Sequence, residues 1–176
     1  IEVLTFGDNH PEFGVEDISV RINGSEQIID PLYCSDNSLN VMAFDRISGL
    51  PYLVLDYNVL NRRSCGRQPQ LINNFLNTEI EGGADYNLSL LIDRVKTGDP
   101  ILLFSIGNLN YSTWSDALKT RLAELGVAAT LPGELTEGEP LIILGRKGDP
   151  PGNARVIRAD ANATIPVNEQ VITMNE

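Results

Sequence analysis

Three short runs of this 176-residue chain show almost no polar alternation: "LNVMAF" (39–44), "PILLFSI" (100–106) and "PLIILG" (140–145). A strand with one wet face alternates apolar and polar residues, whereas a strand buried on both faces does not. Each run is short and bounded by turn formers, so each reads as a buried strand. Around them, "IEVLTF" (1–6) is a further strand. "EDISVRINGSEQIID" is a hairpin, with Ile18, Val20 and Ile22 alternating and Asn23-Gly24 supplying the turn. "LPYLVLDY" returns antiparallel after the "DRISG" turn, and 58–70 is a polar loop. "VAATL" reads as a short edge strand, and "ARVIRAD" and "EQVITM" as the last two strands.

Three segments carry helical periodicity. "PQLINNFLNTEI" places Leu71, Phe75 and Leu76 on one side. "YNLSLLIDRVKTG" puts Leu88, Leu91, Ile92 and Val95 at i, i+3, i+4 and i+7; Asp85 or Asn87 is its cap and Gly98 its stop. "STWSDALKTRLAELG" aligns Trp114, Leu118, Leu122 and Leu125, capped by Ser112 or Ser115 and stopped by Gly126. Strands outnumber helices, and the helices cluster mid-chain. The expected class is α+β: a mainly antiparallel, β-sandwich-like core flanked by two or three helices. No repeat or linker divides the chain, so residues 1–176 are expected to form a single domain. The opening "IEVLTFGD" has neither Met nor signal peptide, which reads as a domain cut from a longer, processed protein.

Charge narrows the partners. Twenty-four acids against 13 bases leave a formal net charge of −11. Nucleic-acid binding rests on Lys and Arg neutralising phosphates, and no basic block is present. No apolar run approaches the ~20 residues of a spanning helix, so membrane insertion is not expected. Cys34 and Cys65 lie in the loop-like contexts "PLYCSDNS" and "RRSCGRQP". Two buried thiols are the alternative, but the contexts favour a disulfide, and with it an oxidising compartment.

Little of the sequence reads as chemistry. "LIILGRKGDPP" ends an aliphatic strand in Gly-Arg-Lys-Gly, yet Lys147 precedes Gly148, two prolines remove donors, and Asp149 repels phosphate. It is a strand and a turn rather than a phosphate loop. His10 is the sole histidine and sits in a loop, with no nucleophile elbow anywhere. "GDNHPEFGVED" offers Asp8, Asn9, Glu12, Glu16 and Asp17 as oxygen ligands, but without EF-hand spacing it reads as a solvated acidic loop. No catalytic residue, no metal site and no cofactor is expected. One loop stands out. "IGNLNYSTW" sets Asn108, Asn110 and Tyr111 beside Trp114, and amides next to aromatics suit sugar binding. The plainer alternative makes Trp114 core and the rest a helix-capping loop.

The ordered set "SLNVMAFDRISG", "LIDRVKTGDPILLFSIGNLN", "WSDALKTRLAELG" and "PLIILGRKGDP" resembles the interleukin-like EMT inducer (ILEI) domain, also called the PANDER-like domain. The resemblance covers about residues 1–152, most clearly from Leu39 on. It is nearest the bacterial branch found in large secreted proteins, some of which carry gingipain-like peptidase domains. It implies a compact sandwich-like fold with edge helices in an extracellular or cell-surface protein, and the Cys34/Cys65 pair fits that branch. A related stem domain of a Golgi glycosyltransferase binds sugar without catalysis. Its acidic residue falls near Asn108 here, and its Arg-Asp-aromatic turn reads "LTEGEP", so that site does not carry over intact. The family topology would place Glu137 beside the Asn108–Tyr111 loop. The resemblance implies a non-catalytic binding or accessory domain; the set Asn108, Asn110, Tyr111 and Glu137, with the net charge of −11, makes a neutral glycan the expected partner. The alternative is a structural or protein-interaction module that serves a neighbouring peptidase or secretion-related domain of the same chain.

Overall fold

The structure, a computed structural model, describes residues 1–7, 18–27, 34, 37–55, 64–67, 69–83, 85–159 and the backbone of 167–171. Its centre is a large sheet built on the three apolar runs. They form β4 (Ser38–Phe44), β8 (Pro100–Ile106) and β9 (Leu141–Arg146). β5 (Pro51–Tyr52), β6 (Ser64–Cys65), β7 (Ile72–Leu76) and β10 (Arg155–Arg158) complete it. The strand order is β10-β9-β8-β4-β7-β6, with β5 pairing the far end of β4. A smaller sheet, ordered β11-β1-β2-β3, joins β1 (Glu2–Phe6), β2 (Ser19–Ile22), β3 (Ser25–Glu26) and β11 (Val167–Val171). Every described pairing is antiparallel.

The missing alternation has a direct cause: the large sheet is covered on both faces. Leu39, Val41, Ala43, Ile101, Leu103, Leu141 and Ile143 face a core shared with the helices. Their neighbours Met42, Phe44, Leu102, Phe104, Ile106 and Ile142 face the small sheet, where Val3, Phe6 and Val20 close a second core. The molecule is therefore layered sheet–sheet–helix, an α+β fold with a β-sandwich-like core.

The helices are α1 (Leu88–Arg94), α2 (Asp116–Ala123) and the short α3 (Leu131–Glu134). Asn87 caps α1 by accepting from the Leu90 amide at 2.8 Å, and Ser115 caps α2 by accepting from the Leu118 amide at 3.2 Å. Leu88, Leu91, Ile92 and Val95 are all buried, as their spacing requires. Gly126, at φ 83°, ends the α2 segment, while α1 stops earlier, at Val95, with Gly98 in the following turn. Asn23 and Gly24 take φ 51° and 75° between β2 and β3, the hairpin turn their pairing predicts.

Two expectations are overturned. The segment around Ile72–Leu76 is not helical but is β7, paired with β4. Two adjacent asparagines are poor helix formers. Here they gain buried partners: Asn74 Nδ2 donates to Asn40 Oδ1 and Ser38 Oγ, and Asn73 Nδ2 to the Leu55 carbonyl. "VAATL" is not an edge strand: Val127 is buried, and Pro132 in the first turn starts α3 instead. The return strand after β4 is shorter than expected, pairing only Pro51–Tyr52.

Cys34 and Cys65 form a disulfide, with Cα atoms 5.1 Å apart. It ties the approach to β4 to the edge strand β6 and lies in the core between the sheets. The segment Gly145–Gly148 is a strand end and turn. Lys147 points inward, donating to Glu124 at 2.5 Å and to the Ile92 carbonyl at 3.0 Å. Among the described residues no helix is long and apolar enough to cross a membrane. The acidic loop Asp8–Asp17, with His10, lies outside the described residues.

Candidate functional site

Antiparallel pairing brings one pole of the large sheet together from four strands. β4 and β9 begin there, and β7 and β8 end there. The connecting residues Asn37, Asn77, Asn108, Asn110 and Glu137 line a shallow, open hollow of about 360 Å³ at this pole. Four of the five carry carboxamides and one a carboxylate.

The hollow is held by side chains that act as backbone. Asn77 Oδ1 accepts from the Asn110 amide at 3.0 Å, and its Nδ2 donates to the Asn108 carbonyl at 3.0 Å. One carboxamide thus satisfies a donor and an acceptor of the loop, as a neighbouring strand would. On the other side, Asn37 Oδ1 accepts from the Asn108 amide at 2.8 Å. Asn37 has φ 52°, a left-handed conformation that Asn tolerates. Gly107 has φ 63°, and a Cβ there would lie 2.8 Å from Asn37 Oδ1. The close approach of these two turns therefore requires glycine.

Glu137 is fixed from below. Its Oε1 accepts from the Ser112 amide at 2.8 Å. The satisfied orientation of Asn110 places Nδ2 3.1 Å from each Glu137 oxygen and 3.0 Å from Ser112 Oγ. Glu139, two residues on, is buried and anchors the same turn. Its carboxylate accepts from the Thr136 amide at 2.9 Å and from Arg158 Nε at 2.6 Å. That bond to Glu139 is the main reason the Arg158 guanidinium is held above its ordinary pKa.

Of the residues singled out in the sequence, Asn108, Asn110 and Glu137 line the hollow together. Tyr111 does not. It is buried, packed edge-on against Trp114 at 5.2 Å, and its hydroxyl donates to the Glu139 carbonyl at 2.8 Å. Burial pushes its phenol well above the ordinary range. Its ring supports the floor and offers no stacking face. Trp114 is core as well. Asn37 and Asn77 were not anticipated. Asn77 lies inside the 69–80 segment whose sequence reads as helix, so nothing in that reading brings it to the β8 loop; only the β4–β7 pairing does. The Asn108 carboxamide, exposed and without a protein partner among the described residues, is the group most available to a ligand.

No family model matches the chain, and no curated protein matches it.

Proposed function

We propose that this is a non-catalytic binding domain of the ILEI/PANDER-like kind, exported to the cell surface or beyond, that takes a neutral saccharide in the asparagine hollow. The carrying observation is the set of four carboxamides around one opening: Asn37, Asn77 and Asn110 are held by their own hydrogen bonds, and the Asn108 carboxamide is left to a ligand. Carboxamides offer donors and acceptors at matched geometry but neither transfer protons near neutral pH nor act as nucleophiles, so the chemistry is recognition. The volume lies at the low end of the roughly 300–1,000 Å³ usual for small-ligand sites, enough for one or two sugar rings. Glu137 and the net charge of −11 disfavour acidic glycans. The layered fold accords with the resemblance in the sequence, and the disulfide accords with an oxidising compartment. With Tyr111 inside the core, polar contacts carry the binding, which keeps it weak: on the order of 0.1–1 mM, or roughly 4–5.5 kcal/mol.

Titration of labelled protein with neutral saccharides tests this. The expected result is chemical-shift change centred on Asn37, Asn77 and Asn108–Asn110, lost on Asn108→Ala. Change elsewhere, or none at millimolar saccharide, would favour the second reading, a protein-interaction module serving another domain of the same chain. That reading draws on the exposed apolar turn at the opposite pole.

A further inference from the structure

The opposite pole of the large sheet carries a different surface. It is formed by the β4–β5 turn (45–50), the entry to β8 and the end of β9. β4 is seven residues long, so the two poles are roughly 20 Å apart. Here Ile47 is 88% and Leu50 60% exposed, the highest values for large hydrophobics among the described residues. Ile47, Arg46 and Arg146 line an open hollow of about 560 Å³ together with Gly98 and Pro100.

Hydrogen bonds close this turn on itself. Asp45 accepts from the Ile47 amide at 3.1 Å, the Ser48 amide at 2.8 Å and Ser48 Oγ at 3.0 Å. These bonds, Ser48's first, hold its carboxyl below the ordinary carboxylate pKa. The Gly49 amide donates to the Asp45 carbonyl at 2.8 Å, and the Asp45 amide to the Leu50 carbonyl at 2.9 Å. Arg46 is anchored by its amide on Asp99 Oδ1 at 3.3 Å and by Nη1 on the Thr97 carbonyl at 2.5 Å. Asp99 is itself buried and also accepts from the Tyr52 hydroxyl at 2.8 Å. An aliphatic side chain held in water on a hydrogen-bonded turn is an anchor whose backbone ordering cost is already met.

The charges say what it fits. The chain as a whole is strongly acidic, yet this hollow is bordered by two guanidinium groups. Among the described residues lining it the one carboxylate is Asp45, whose Oδ1 accepts from the Ile47 and Ser48 amides and from Ser48 Oγ. Arginine pairs with carboxylates through two parallel N–H bonds, a geometry lysine lacks. We propose that the β4–β5 turn docks a partner protein presenting carboxylates around an apolar socket. Ile47 enters the socket, and the carboxylates sit between Arg46 and Arg146. This site shares no residue with the asparagine hollow and stands whether or not that hollow binds sugar.

A direct test titrates the labelled protein with a synthetic peptide alternating Glu with Leu and Phe, and with the same peptide carrying Gln for every Glu. The acidic peptide is expected to shift Ile47, Ser48, Gly98 and Arg146. Its affinity should fall at least about fivefold for Arg146→Gln and for Ile47→Ser, and again when salt is raised to about 0.5 M. Both side chains are exposed, so the variants should melt with the parent protein. Equal binding of the Gln peptide, shifts confined to other residues, or no shift at about 5 mM peptide would overturn the proposal. So would self-association in the absence of peptide that Ile47→Asp abolishes, since the occupant would then be a second copy.

Discussion

The Tyr111 hydroxyl donates a 2.8 Å hydrogen bond to the Glu139 carbonyl, joining the β8–α2 loop to the turn that carries Glu137. The two halves of the asparagine hollow are thereby set against each other from beneath. Tyr111→Phe keeps the ring packed on Trp114 and leaves the carbonyl unpaired. It should cost about 1–2 kcal/mol in urea unfolding with an unchanged slope. Exchange of the Ser112 amide should quicken, because its acceptor Glu137 loses its footing. An unaltered midpoint would show that the bond contributes nothing.

Gly107 and Gly24 separate backbone strain from crowding. Both have positive φ, 63° and 75°, but a Cβ at Gly24 meets nothing within 4 Å while one at Gly107 meets Asn37 Oδ1 at 2.8 Å. Gly24→Ala should cost about 1–2 kcal/mol, the price of the left-handed conformation alone. Gly107→Ala should cost measurably more and should displace the resonances of Asn37 and Asn108. Equal losses in the two variants would mean that Asn37 moves aside freely.

The Cys34–Cys65 bond closes a loop with a sequence separation of 31. Chain-entropy reasoning gives it about 3–4 kcal/mol. Unreduced native protein should titrate no thiol at these positions, and Cys34→Ser with Cys65→Ser should lower the unfolding free energy by that amount. A loss under about 1 kcal/mol would mean the unfolded chain already keeps this region compact.

Glu124 supplies a pH test. Its hydrogen bond from Lys147 is the main cause of a folded-state pKa below the ordinary 4.5. In that window the folded protein binds fewer protons than the unfolded chain, so stability falls as pH falls. The contribution is complete above about pH 5 and is lost on acidification through the folded pKa. Lys147→Met should therefore be less stable than the parent by about 1 kcal/mol at neutral pH, a modest value because the pair is partly solvated. The gap should close as pH falls below the ordinary carboxylate range. A gap that does not vary with pH would assign the effect to the Lys147 bond with the Ile92 carbonyl instead.

Much of this architecture is legible in the residues. β4, β8 and β9 follow from runs that tolerate no wet face. The β2–β3 turn follows from Asn23-Gly24, and the helix starts are narrowed to Asp85 or Asn87 and to Ser112 or Ser115, of which Asn87 and Ser115 are the caps. β7 is not legible locally, because Asn73 and Asn74 look like solvent positions until Ser38, Asn40 and the Leu55 carbonyl arrive from elsewhere in the chain. The same long-range pairing hides Asn37 and Asn77 from any local reading of the site. Tyr111 misleads in the opposite direction. Its polar neighbours suggest exposure, whereas Trp114 and the Glu139 carbonyl draw it inside.

Covering the central sheet on both faces removes the usual guard against misalignment. In a half-wet sheet, sliding a strand by one residue throws its apolar set into water. In β8 the same slide would exchange Leu103 for Leu102 or Phe104, one greasy set for another. The penalty has to come from the few buried polar groups. A shift of β4 against β7 would part Asn40 from Asn74. A shift of β9 against β8 would strip the Leu141 amide from Ser105 Oγ, a residue whose carbonyl also accepts from the Thr5 hydroxyl. Each stranded group costs roughly 1–3 kcal/mol. These small side chains act as alignment keys: replacing them with leucine would make the core greasier and leave the strands less certain where to stop.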